Sequence, residues 1–256
     1  MNNSTAKALR KVPEVTAVFW IAKLLTTAMG EATSDWSVAR INPFIAVGLG
    51  AVVLVIALTI QFRSPKYAPW SYWLAASAVA VFGTMAADGM HVQLGIPYAI
   101  SAATFAIALA VIFIAWYKSE HNLSIHTITT RRREIFYWLT VLATFALGTA
   151  TGDLTATTFG LGYFPSALLF IGIILIPAFG YWLFGLSEVA AFWAAYIITR
   201  PIGASFADWM SKSPSVGGLG WGDGVVAFVL FTLLVCVVAY MTVDRGESRH
   251  ERHRSA

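Results

Sequence analysis

Four aspartates occupy equivalent places in this 256-residue chain, and their spacing suggests chemistry that uses several carboxylates. Each follows a tryptophan by fifteen residues: Asp35, Asp88, Asp153 and Asp208. Glu31 adds a fifth carboxylate four residues before Asp35, on nearly the same face of a helix. Carboxylates collected at one depth can bind a metal cation or a proton. The pattern therefore predicts an acidic column.

Further polar side chains lie at helical spacing from these aspartates. The first segment carries Lys23, Thr27, Glu31 and Asp35 at intervals of four, and the related positions of the other segments hold Thr84, Thr149 and Arg200. Carboxylate and hydroxyl oxygens suit Mg²⁺, Mn²⁺ or Ca²⁺ better than copper or zinc. We expect Lys23 and Arg200 to be internal counter-charges that pair with a carboxylate after a cation has left.

A nitrogen ligand stands beside one of the carboxylates. His91 follows Asp88 by three residues, a spacing that puts both on one face of a helix. An imidazole would favour Mn²⁺ over Ca²⁺. The predicted metal-binding set is Glu31, Asp35, Asp88, His91, Asp153 and Asp208. The cation is expected as a substrate, and no resident cofactor is predicted with certainty.

The aspartates belong to a longer repeat that contains two more columns. An aromatic residue precedes each of Trp20, Trp73, Trp138 and Trp193. Ten residues after each tryptophan stand Gly30, Gly83, Gly148 and Gly203. We expect the tryptophans to anchor in the membrane interface and the glycines to allow close approach of helices.

The composition predicts an all-helical integral membrane protein. The chain is 58% hydrophobic and 12% charged, with mean hydropathy +0.70. This composition argues against a soluble enzyme or a nucleic-acid-binding protein. Segments of about 20 apolar residues can span a bilayer. Eight segments qualify: 15–36, 43–62, 70–90, 97–117, 134–156, 163–185, 188–210 and 223–243.

The basic residues predict the orientation of these segments. Of the 17 lysines and arginines, 13 fall in the tails and in the connections that would lie on one side. The excess of positive charge predicts cytoplasmic termini, with tails 1–14 and 244–256. The whole chain, 1–256, is then a single transmembrane domain of four parallel two-helix repeats, 15–62, 68–117, 133–185 and 188–243.

The repeat resembles a known family. The tryptophan, glycine and aspartate columns are similar to those of bacterial membrane-anchored proteins built of four tandem two-helix repeats of unknown function, each with a marked tryptophan. The resemblance covers about residues 15–243. It implies the eight-helix architecture and a place in the bacterial inner membrane, and it implies no particular substrate.

Several functions remain open at this stage. The first hypothesis is a transporter of a divalent metal cation such as Mn²⁺, an exporter with proton exchange as one form. The alternatives are a channel or carrier for a small polar or anionic solute, and a structural membrane subunit. An enzyme is not predicted, because the sequence shows no nucleophile–base set, no H-E-x-x-H motif and no phosphate-binding loop. Expected partners are lipids and the transported metal ion or proton but no nucleic acid, and a homodimer is left open.

Overall fold

The computed structural model describes the backbone of residues 10–254 and the side chains of residues 10–244. Lys7 and the rest of 1–9 lie outside the described residues, as do 255–256. The basic side chains after Asp244 also lie outside them. The predicted tails 1–14 and 244–256 are therefore described only in part.

Eight long helices and no strand make up the described part of the chain. They are α1 (Ala17–Arg40), α2 (Pro43–Arg63), α3 (Pro69–Asp88), α4 (Tyr98–Glu120), α5 (Arg131–Asp153), α6 (Tyr163–Phe184), α7 (Glu188–Ser211) and α8 (Asp223–Arg254). Seven of these, α2 to α8, contain stretches long and apolar enough to cross a membrane. The first helix is equally long but more polar, because it carries Lys23, Glu31 and Asp35.

The sequence marks where several helices begin. The Thr16 hydroxyl accepts a hydrogen bond from the Phe19 N–H at the start of α1, and Ser187 caps α7 in the same way. Asn42 caps α2, which starts at a proline. These side chains satisfy N–H groups that have no partner within the first helical turn.

The four odd-numbered helices form a closed ring. Helix α1 packs on α3 and α7, and α5 packs on the same two helices from the opposite side. All four run in the same direction, so one end of the ring carries the repeat tryptophans and the other carries the repeat aspartates. We call these the tryptophan end (Trp20, Trp73, Trp138, Trp193) and the aspartate end (Asp35, Asp88, Asp153, Asp208).

The even-numbered helices interlock successive repeats. The second helix of each repeat packs mainly on the first helix of the next repeat: α2 on α3, α4 on α5, α6 on α7 and, closing the circle, α8 on α1. A sequence repeat is therefore not a packing unit. Each copy buries its apolar surface against its neighbour, as repeats do when one copy cannot form a core alone.

The repeat glycines lie where neighbouring ring helices touch. A Cβ added at any of the four would come closer than 3 Å to the next helix. In order around the ring the contacts are Gly30 on Ala80, Gly83 on Phe145, Gly148 on Arg200 and Gly203 on Thr27. The same column thus closes all four interfaces, which accounts for the regular spacing of the glycines.

The tryptophans pack in or against the hydrophobic core, contrary to the expectation that they are interface anchors. Trp73, Trp138 and Trp193 are buried, and Trp20 is half-buried. Each packs edge-to-face on the aromatic residue before it, with ring centroids 5.1–5.2 Å apart and interplanar angles of 74–86°. Such pairs gain more than their buried area alone provides. They form an aromatic layer that occupies the tryptophan end.

We expect Gly148→Ala to destabilise the protein. The new methyl group would press on the Arg200 side chain and on Pro201, and overpacking of this kind costs about 1–3 kcal/mol. The matched control is Gly172→Ala in α6, where an added Cβ meets nothing within 4 Å. Thermal unfolding in detergent should show a lower Tm for Gly148→Ala alone. Equal Tm values for both variants would contradict the close approach of α5 and α7.

Candidate functional site

One side chain from each ring helix meets at the centre of the ring. These four residues, the central cluster, are Glu31 of α1, Thr84 of α3, Thr149 of α5 and Arg200 of α7. Arg200 Nη2 donates to Glu31 Oε2 and to Thr149 Oγ1, at 2.6 Å each, and also to Thr84 Oγ1. Both threonine hydroxyls donate to Glu31 Oε2 at 3.1 Å. All four side chains are 0–2% exposed.

The repeat explains how these residues come together. Glu31, Thr84 and Thr149 each follow their tryptophan by eleven residues, so they share one level of the ring. The fourth copy has Ala204 at this position, which leaves space. Arg200 lies one turn earlier on α7, and its long side chain reaches the level of Glu31.

The surroundings compensate the buried ion pair. Two charges taken out of water cost several kcal/mol each, and the cost is offset only when further hydrogen bonds satisfy their remaining donors and acceptors. The hydroxyls of Thr84 and Thr149 donate to Glu31, and the Thr27 carbonyl oxygen accepts from Arg200 Nη1 at 3.4 Å. Arg200 Nε has no hydrogen-bond partner among the described residues.

Glu31 also belongs to a second group, which extends toward the aspartate end. One carboxylate oxygen from each of Glu31, Asp35 and Asp88 lies within 4.8 Å of the others. We call these three residues the acid group. Hard divalent cations bind through such oxygen sets. Glu31 is thus common to the acid group and to the pair with Arg200.

The other predicted metal ligands do not join the acid group. Asp153 and Asp208 lie at the aspartate end on α5 and α7, outside the three-residue set. His91 is also outside it, because its Nδ1 contacts the Ile96 carbonyl oxygen at 2.9 Å and its ring stacks on Tyr98. The acid group therefore offers oxygen ligands, without the nitrogen expected from the Asp88–His91 spacing.

A lysine outside the repeat columns lies at the aspartate end, and sequence reasoning assigned it no role in the site. Lys212 Nζ forms ion pairs with Asp35, with Asp223 at 3.3 Å and with Asp208 at 3.8 Å. Burial alone would lower the pKa of Lys212, but Asp35 and Asp208 outweigh burial and raise the pKa well above its usual value. Lys212 thus holds Asp35, a member of the acid group.

Lys23 does not pair with a carboxylate, contrary to the role expected for it. Its side chain is buried and Nζ has no hydrogen-bond partner among the described residues. The ammonium position lies 3.9 Å from the centroid of the Phe145 ring and 4.1 Å from that of Tyr196. Lys23 therefore sits in an aromatic setting between the central cluster and the tryptophan end.

Three buried tyrosines lie on the tryptophan side of the central cluster. Tyr72 and Tyr137 share a hydrogen bond between their hydroxyls, and Tyr196 lies next to Lys23. All three are about 1% exposed. In contrast, Asp35, Asp88 and Asp153 are only half-buried. Three of the four repeat aspartates are therefore more exposed than these tyrosines.

Two of the aspartates are followed by a turn of π-helix, which the sequence analysis did not predict. The segments are Gly89–Gln93 after Asp88 and Leu154–Thr158 after Asp153. π-Helical turns often mark functional sites, because the wider turn displaces the carbonyls that follow. In the first and fourth copies, α1 and α7 continue as α-helix past Asp35 and Asp208.

A second buried ion pair lies near the tryptophan end, apart from the central cluster. Lys11 Nζ pairs with Glu134 Oε2 at 2.7 Å, and Gln61 donates to Glu134 Oε1 at 3.0 Å. The sequence analysis counted Lys11 among the topology charges and gave Glu134 no role. Glu134 lies next to three arginines in the chain, which gave no sign of its burial.

We expect Glu31→Gln and Arg200→Gln each to destabilise the protein by about 3–5 kcal/mol, because each leaves a buried charge without its partner. The double variant should lose less than the sum of the two, with a coupling energy of about 0.5–3 kcal/mol. Unfolding in detergent measures the cycle. As a control, Glu134→Gln should add to Glu31→Gln without coupling. Additive losses in the Glu31–Arg200 cycle would contradict the pairing.

Comparisons with known proteins identify the repeat. A family described as Repeat of Unknown Function (DUF347) matches four times in tandem, at residues 18–67, 71–122, 136–185 and 191–246. No curated protein and no solved structure matches the chain. The matched segments cover most of the sequence, and they confirm the resemblance stated from the tryptophan, glycine and aspartate columns. The chain belongs to the DUF347 repeat family, of which it carries four tandem copies.

Proposed function

We propose that the chain is a multi-pass membrane transporter of a divalent metal cation, with its path along the axis of the four-helix ring. The observation that carries the proposal is that Glu31 belongs to two groups of residues. It is paired with Arg200 in the central cluster and is also part of the acid group with Asp35 and Asp88. A cation at the acid group and the guanidinium of Arg200 would compete for the same carboxylate.

The distribution of apolar and basic residues supports a membrane location. The even-numbered helices expose many large apolar side chains, as lipid-facing helices do. At the tryptophan end, Lys66 lies in a connection, and the ends of α2, α4 and α5 carry Arg63, Lys118 and the arginines at 131–133. Under the positive-inside rule this end faces the cytoplasm and the aspartate end faces outward. The proposed location is the bacterial inner membrane.

The ligand atoms support a hard cation. The acid group supplies carboxylate oxygens, with the Thr84 and Thr149 hydroxyls beside Glu31. Mg²⁺, Mn²⁺ and Ca²⁺ all prefer such oxygens. Since His91 is not in the group, no nitrogen ligand separates Mn²⁺ from Ca²⁺ here. Mn²⁺ is the first cation to test, within a panel.

The central cluster supports exchange rather than free diffusion. When the acid group is empty, Arg200 neutralises Glu31, so the buried carboxylate is never left without a partner. When a divalent cation binds, it takes the place of the guanidinium at Glu31. The three buried tyrosines and the aromatic layer lie between the central cluster and the tryptophan end of the ring. We propose that transport alternates between the two ends and that export exchanges for protons.

The test is flux in proteoliposomes with Mn²⁺, Mg²⁺, Ca²⁺ and Zn²⁺, with and without a pH gradient. We expect Glu31→Gln and Asp88→Asn to reduce flux of the transported cation at least about tenfold, because each removes one charged ligand. The same vesicles with Asp153→Asn show whether the path extends to the other aspartates.

The matched control is Glu134→Gln. Glu134 is as buried as Glu31 and is also ion-paired, but its partners are Lys11 and Gln61 and it does not belong to the acid group. Because Glu134→Gln removes no residue of the acid group, it should keep flux within about twofold of the wild type. A twofold change corresponds to less than 1 kcal/mol. Full flux in both Glu31→Gln and Asp88→Asn would overturn the proposal. Flux of anions instead of cations would favour a solute carrier.

Lys212 should compete with the cation for Asp35. Removing its charge with Lys212→Gln is expected to tighten Mn²⁺ binding by roughly three- to tenfold at low salt, and less at high salt. Arg40→Gln is the control, because Arg40 is exposed in the last turn of α1, at the same end of the ring. Binding measured by calorimetry on purified protein gives the comparison. Unchanged affinity in Lys212→Gln would show that Lys212 does not affect the site.

A further inference from the structure

Lys23 is the buried ionisable group that the proposed transport step leaves unused. It lies on α1, eight residues before Glu31, which is about 12 Å along the helix axis. The side chain is 2% exposed, and Nζ lacks a hydrogen-bond partner among the described residues. A buried ammonium normally keeps a carboxylate or several acceptors around it. Lys23 has two aromatic rings instead.

The groups around Lys23 offer it no negative charge in this arrangement. From α7 it faces Tyr196 and Arg200, and from α5 it faces Phe145. The Arg200 guanidinium carbon is 5.0 Å from the centroid of the same Phe145 ring. The tyrosine nearest on α3, Tyr72, bonds to Tyr137. The neighbouring carboxylate, Glu31, is already engaged by Arg200.

The helices packed outside α1 do not change this balance. On α2 the charged residue is Arg63, exposed at the helix end. On α8, Cys236 and Tyr240 are exposed, Asp223 pairs with Lys212 at the aspartate end, and Asp244 is exposed near the opposite end of the helix. Lys23 Nζ accordingly has no hydrogen-bond partner on the described parts of these helices.

A divalent cation that binds at Glu31 would change the charge along the ring axis mainly at Glu31 and Arg200. The two aromatic faces offset part of the free energy that dehydration of the ammonium costs, so a small added charge can decide whether Nζ keeps its proton. A divalent cation at Glu31 would add two positive charges and would free Arg200 from its carboxylate. Both changes act against a positive charge on Lys23.

We propose that Lys23 is the proton-carrying residue of this protein: it gives up a proton from Nζ when a divalent cation binds at Glu31 and takes one back when the cation leaves. The inference rests on the proposed function. One cation enters, one N–H bond of the ammonium breaks, and the proton passes to bulk water. Cation and proton then exclude each other by charge repulsion, although they bind at different residues.

The test is calorimetric titration of purified protein with Mn²⁺ in buffers of different ionisation enthalpy, which gives both affinity and protons released. The variant is Lys23→Met and the control is Lys66→Met, whose lysine is exposed in the connection between α2 and α3. We expect Lys23→Met to bind Mn²⁺ and to release about one proton fewer per Mn²⁺ than the wild type, with a correspondingly flatter dependence of log Kd on pH. Lys66→Met should match the wild type.

A second variant keeps the inference testable if Lys23→Met does not fold. Lys23→Arg retains a permanent positive charge, so it should bind Mn²⁺ more weakly than the wild type and also release about one proton fewer. Equal proton release from the wild type and from the folded variants, with Mn²⁺ bound in each, overturns the role of Lys23 and leaves the transport proposal standing. Absence of Mn²⁺ binding to the wild type overturns both for this cation.

Discussion

The buried pair between Arg200 and Glu31 is the constraint on which the rest of the ring depends. A guanidinium and a carboxylate in an apolar bundle are tolerated only where each finds further partners, and here those partners come from α3 and α5. Four helices must therefore meet at one level with little slack. The glycine column provides that precision, because it lets each helix touch the next at backbone distance.

The polar side chains of the central cluster differ between two pairs of neighbouring helices. The charged residues of the central cluster lie on α1 and α7, in the first and fourth copies. The hydroxyls lie on α3 and α5, in the second and third copies, and these two helices also widen into π-helical turns after their aspartates. The packing of the ring helices is thus fourfold, whereas the charged and hydroxyl side chains of the central cluster divide the ring into two halves. A strictly symmetric ring would place four like charges at one level, where they would repel.

The sequence was sufficient to predict the features that repeat. The helices and the columns of glycine and aspartate follow from spacing that recurs in four copies, and Glu31 and Arg200 were singled out by their helical spacing from the aspartates. The pairing of each second helix with the next repeat was not predictable, since apolar helices such as α2 and α4 carry no mark of which neighbour they cover.

The prediction that the tryptophans are interfacial anchors failed for a related reason: a position near a helix end fits an interfacial anchor and a buried side chain equally well. His91 was placed by helical spacing, but its backbone is π-helical. Glu134 and Lys212 lie outside the columns, so no repetition singled them out.

In the proposed function, cation binding at the acid group and proton release at Lys23 would take place at different levels of the ring. Glu31 belongs to the acid group on one side and pairs with Arg200 on the other, so a cation bound as proposed would act on the central cluster through a single carboxylate. Arg200 in turn shares the Phe145 ring with Lys23. In the proposed function, a charge added at the acid group would act on Glu31, then on Arg200 and then on Lys23. No continuous file of carboxylates is needed for such coupling, because repulsion between buried charges acts across the aromatic side chain that lies between them.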